Sequence, residues 1–77
     1  MTEQEKLALE MVIDDNDYLD IDNLDSYLAH DMCGITTGRS GRDIAWANSW
    51  NDNPVWTHRY IDTLEPLTEE QAADELE

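Results

Sequence analysis

Nineteen of the 77 side chains are Asp or Glu and four are Lys or Arg, so any fold must spread a net charge of −15 over a small surface. Small soluble domains ordinarily carry a net charge of about 2–8 in magnitude, because a larger excess repels itself and opposes the compact state. The excess is concentrated at the ends. Residues 1–32 hold ten acids and one base, and residues 62–77 hold seven acids and no base. Between them, residues 33–61 set Asp43 and Asp52 against Arg39, Arg42 and Arg59. Two acidic flanks thus enclose a near-neutral segment that carries Trp46, Trp50 and Trp56. Adaptation to a halophile cytosol would spread the acids more evenly; the unevenness favours a functional face.

The length allows a single acidic domain over residues 1–77. A chain this short buries only roughly 60% of the surface its unfolded form exposes, so its core is small. A hydrophobic fraction of 40% and six Trp and Tyr residues exclude a fully disordered tail. No apolar run approaches the roughly 20 residues that cross a bilayer, and no apolar leader segment follows Met1. The expectation is a cytoplasmic protein, complete from its first methionine. Cys33 is the only cysteine, which forbids an intramolecular disulfide and fits a reducing compartment.

Caps and periodicity predict a mainly α fold, a compact bundle of four to five short helices. Thr2 and Glu5 form a capping box ahead of Leu7, Ala8, Met11 and Val12 at helical spacing. Asp14 to Asp17 breaks that helix, since Asp and Asn bond their own backbone in turns. Asp22 is the expected N-cap of a second helix with the stripe Leu24, Tyr27, Leu28 and Met32, ended by Gly34. Ser40 and Asp43 read as the cap of a third, with Trp46 and Trp50 at i,i+4. Asn53-Pro54 reads as the N-cap and first residue of a fourth over Val55–Ile61. Thr68 and Gln71 form a last capping box, with Leu67 and Ala72 as a hydrophobic staple. A small β element around residues 33–37 and 55–61 is the competing prediction, because both stretches are rich in β-branched or aromatic residues.

Six aspartates in twelve residues, Asp14, Asp15, Asp17, Asp20, Asp22 and Asp25, need more than turn and cap duty to explain them. A calcium loop would require D-x-[DN]-x-[DN]-G. The frame from Asp15 puts Leu19 at its fifth position, the frame from Asp20 puts Leu24 there, and neither has the glycine. Carboxylates at i,i+3 or i,i+4 on a helix lie about 5–6 Å apart, and alternate residues of a strand about 6.6 Å apart. Both spacings imitate a row of phosphates, the charges from which nucleic-acid-binding proteins draw much of their affinity. Asp62, Glu65, Glu69, Glu70, Asp74, Glu75 and Glu77 form a second such row.

In size, acid excess, scarcity of lysine and acidic C-terminal end, the chain resembles the small acidic bacteriophage proteins that block CRISPR and restriction complexes, several of which are DNA mimics. The resemblance spans the whole chain and is one of character, without a signature motif. It implies a non-enzymatic inhibitor, without cofactor or metal, acting in the host cytoplasm on a basic nucleic-acid-binding complex. Its contact surface would be Asp14, Asp15, Asp17, Asp20, Asp22, Asp25, Asp62, Glu65, Glu69 and Glu70. It would bind neither nucleic acid nor membrane directly.

The alternative is a small acidic adaptor or regulator that grips a basic protein through an aromatic-arginine patch, in a halophile or elsewhere. Tryptophan and arginine are favoured interface anchors, which singles out Trp50, Arg39 and Arg42. At helical spacing, at least two of the three tryptophans are expected in the core. Gly38-Arg39-Ser40-Gly41-Arg42 lacks the G-K-[ST] ending of a phosphate loop and the last glycine of G-x-S-x-G, and reads as a linker capped by Ser40. His30, Cys33 and His58 lack zinc-ligand spacing, and Cys33 is expected to be a buried thiol.

Overall fold

The computed structural model describes residues 1–76 and orders them as helix, two short helical turns, three strands and a final helix. Helix α1 (Glu3–Asp14) begins as predicted: the Thr2 hydroxyl accepts the Glu5 N–H and the Glu5 carboxylate accepts the Thr2 N–H. Ala8, Leu9, Val12 and Ile13 form its buried stripe. Burying each larger aliphatic side chain contributes roughly 1.5–3 kcal/mol, which makes this stripe the main source of cohesion.

Asp20, rather than Asp22, caps the next segment, accepting the Asp22 N–H at 3.0 Å to start a 3₁₀ turn over Ile21–Asn23. Helix α2 (Leu24–Ala29) follows, and its Leu24, Tyr27 and Leu28 pack on the core as the stripe predicts. Gly34 does not end it. Asp31 takes the left-handed conformation (φ 56°), with Asp31 N–H donating to Leu28 O and Met32 N–H to Tyr27 O. This is the two-bond closure usually given to glycine. The chain then turns straight into a strand.

The middle of the molecule is a three-stranded antiparallel sheet, which overturns the bundle of four to five helices. Strands β1 (Cys33–Thr37), β2 (Asp43–Asn48) and β3 (Trp56–Tyr60) lie in sequence order. The Ser40–Asp43 signal serves a hairpin: Gly38 N–H donates to Arg42 O, Gly41 N–H to Gly38 O, and Gly41 supplies φ 91°. Asn51-Asp52-Asn53-Pro54 closes the second connection, with Asn53 N–H on Asn51 Oδ1, and Val55 and Ser49 bonded across its base. Of the competing β prediction, residues 33–37 are β1 and β3 falls within 55–61.

Period two explains the strands. Ala45 and Ala47 face α1 together with Cys33, Thr57, Arg59 and Ile61, and the small alanines let the helix approach the sheet. The Thr57 hydroxyl donates to Val12 O at 2.6 Å and Gln4 Nε2 to Ile61 O at 2.8 Å, so α1 runs antiparallel to β3. Ile44, Trp46, Trp56, His58 and Tyr60 project from the opposite face.

Helix α3 (Glu69–Leu76) lies beside that second face. Its predicted capping box is present, Gln71 N–H on the Thr68 hydroxyl and Thr68 N–H on Gln71 Oε1. Leu67 N–H donates to His58 O, and Tyr60 N–H to Glu65 O, so residues 65–67 cover part of the β3 edge. At the other end, the Glu75 carboxylate accepts the Ser40 N–H (2.9 Å) and hydroxyl (2.7 Å). No residue of α3 is buried. It is fastened at its ends rather than packed along its length.

Candidate interaction surfaces

The fold sorts the predicted contact acids into two groups. Three are engaged within the molecule. Asp15 takes two hydrogen bonds from the Arg59 guanidinium, at 2.7 and 3.0 Å, at the end of α1. Asp62 takes two from Arg42, at 3.0 and 2.8 Å, and that guanidinium holds its carboxyl below the usual carboxylate range. Asp20 is the cap already described. The other seven, Asp14, Asp17, Asp22, Asp25, Glu65, Glu69 and Glu70, are exposed, and their carboxylates make no hydrogen bond or ion pair among the described residues. Glu75 leaves the second acidic row to fasten α3, and hydrogen bonds from Ser40 hold its carboxyl below the usual range. Glu77 lies outside the described residues.

The expected anchors are also redistributed. Arg42 is held in a bidentate pair with Asp62 and its guanidinium carbon sits 3.4 Å from the centre of the Tyr60 ring, a fixed structural position. Arg39 is exposed at the hairpin tip, its backbone N–H donating to Glu75 O. The tryptophans correct the expectation that at least two are core: Trp50 is 64% and Trp56 54% exposed, and Trp46 is half-buried. Trp46 lies against Gly34, where an added Cβ would come within 3.1 Å of its Cζ2, so any side chain there requires the indole to shift by a few tenths of an ångström. Trp50 has φ 51°, an uncommon backbone for a bulky residue, supported by its N–H on Asn48 Oδ1.

The sequence reading missed a groove between β3 and α3, with a volume of about 870 Å³. Trp56 and His58 line one wall, their rings parallel within 4° at 6.1 Å, with Trp46 tilted on Trp56 at 5.7 Å. Ala72, Ala73 and Leu76 form the other wall, and Pro66 and Leu67 also line it. Burial lowers the pKa of His58, so its ring is neutral at pH 7. Asp15 and Glu69 both line the groove, which brings the two acidic flanks together. Period-two alternation of Trp56, His58 and Tyr60 is the signal that could have revealed this wall, had the stretch been read as a strand.

No family model, curated protein or solved structure matches this chain. The surfaces themselves must carry the functional reading. Cys33 is buried and desolvation pushes its thiol up to about 11, so it holds no thiolate at neutral pH. No cluster of three or more potential metal ligands occurs among the described residues. No helix of the described chain is long and apolar enough to cross a membrane.

Proposed function

We propose that this protein is an inhibitor that binds a nucleic-acid-binding host defence complex, a CRISPR effector or restriction enzyme, and occludes its DNA groove with an acidic surface. The observation that carries this reading is the set of seven exposed carboxylates that make no hydrogen bond or ion pair among the described residues. A fixed array of charges loses less conformational freedom on docking than a flexible acidic tail would. Binding to the Lys and Arg of a phosphate-binding groove displaces the DNA that those residues would otherwise hold.

The test is capture from a bacterial lysate on immobilised protein, with and without excess duplex DNA, read by mass spectrometry. Recovery of a nucleic-acid-binding complex that DNA competes away supports the reading, and Asp22→Asn with Asp25→Asn should weaken that recovery. A partner retained equally in the presence of DNA contradicts it. That second outcome is what an adaptor would give, a reading favoured by the exposure of Trp50 and its uncommon backbone conformation.

A further inference from the structure

Helix α3 stands off the sheet because it is held by its two ends. Thr68 and Leu67 fix its start against β3, and Glu75 fixes its end against the β1–β2 hairpin. Between these fastenings the apolar side chains it offers the groove are the small Ala72 and Ala73. Opposite them stand Trp56 and His58, so a groove of about 870 Å³ stays open in an 8.9 kDa protein. Small-molecule and side-chain pockets commonly measure about 300–1,000 Å³, with mostly apolar walls and a few polar groups.

The charges around the groove select its occupant. Its cation, Arg59, is neutralised by Asp15 at 2.7 Å. His58 is kept neutral by burial. What remains for a ligand to meet is the Glu69 carboxylate on the lining, with Glu70 beside it in the first turn of α3 and Asp14 near Arg59. A second copy of this chain would bring a further net charge of −15 and be repelled.

We propose that this groove receives an apolar side chain from a lysine- or arginine-flanked segment of the partner. The apolar residue packs between the Trp56–His58 stack and Ala72–Ala73, while its basic neighbours meet Glu69, Glu70 and Asp14. This rests on the reading of the partner as basic, and it adds a register: one apolar anchor among cations. Phosphate mimicry alone would use only the cations.

The probes are three capped peptides, Lys-Lys-Leu-Lys-Lys, Lys-Lys-Ser-Lys-Lys and Ser-Ser-Leu-Ser-Ser, titrated at low salt against isotopically labelled protein and followed by amide chemical shifts. The leucine-centred basic peptide is expected to shift Thr57, His58, Ala72, Ala73 and Leu76 saturably. It should bind about tenfold more tightly than the serine-centred one, the factor given by burying one aliphatic side chain. Ala73→Gln, which fills the exposed mid-helix position without changing charge or helix propensity greatly, should abolish that preference.

Equal binding of the two basic peptides overturns the groove while leaving the basic-partner reading standing. Equal binding of the two leucine-centred peptides removes the need for cations and overturns both. Failure of all three peptides to bind, or an unchanged preference in Ala73→Gln, also overturns the proposal.

Discussion

At the scale of single residues, Asn16 holds together parts of the chain that are distant in sequence. It is 1% exposed, its Nδ2 donates to Val55 O at 2.9 Å, and its Oδ1 accepts the Tyr18 N–H at 3.1 Å. The end of α1 is thereby tied to the loop before β3. Asn16→Ala removes the acceptor of the Tyr18 amide and leaves the Val55 carbonyl with the Ser49 N–H alone, and a deleted partner of this kind costs about 1–3 kcal/mol. Urea denaturation should show that loss in the midpoint, with a slope unchanged from wild type. In the sequence, Asn16 is one of four polar residues in a turn and nothing marks it as buried. The acids show the same limit. Their exposure was legible in their type, but Asp15 and Asp62 could be assigned to Arg59 and Arg42 only once distant segments met, whereas Asp20 caps locally, two residues before the N–H it accepts.

Among the elements, α1 and α3 were legible because their starts are written locally, in Thr2–Glu5 and Thr68–Gln71. The central strand β2 was not, for a physical reason. Strand β2 is covered by α1 on one face and contributes Ile44 and Trp46 to the other, so its apolar residues run continuously and hide the period of two. Trp46 and Trp50 then mimic a helical i,i+4 pair. Ser40 and Asn53, good caps in isolation, are spent in the two turns.

The hairpin and α3 depend on each other at Gly38. An added Cβ there would come within 2.9 Å of Ile44 Cδ1 and 3.0 Å of Glu75 Cδ. Ile44 is fully buried and cannot swing aside, and Glu75 can move only by releasing Ser40. Gly38→Ala should therefore lower stability by about 1–3 kcal/mol, as overpacking does. Hydrogen exchange should rise first in residues 69–76. Unchanged exchange there would mean that Glu75 does not hold α3.

At the scale of the whole molecule, the acidic flanks are set around a neutral centre rather than wrapped into it. The sheet and α1 supply the cohesion, and two arginines each neutralise one acid. The seven unpaired contact acids remain at the surface, where they raise self-repulsion and give a basic partner its counter-charge. The imbalance was plain in the sequence, but the meeting of Asp15 and Glu69 at one groove was not, because it requires α1, β3 and α3 to be placed together.

The central claim, that exposed carboxylates carry the binding, is tested most directly by the salt dependence of affinity for the captured complex. Wild-type protein should lose affinity steeply as salt rises, with a linear dependence of log affinity on log salt. Asp22→Asn with Asp25→Asn should weaken binding at low salt and flatten that slope. A shallow slope that is the same in wild type and variant would contradict the claim.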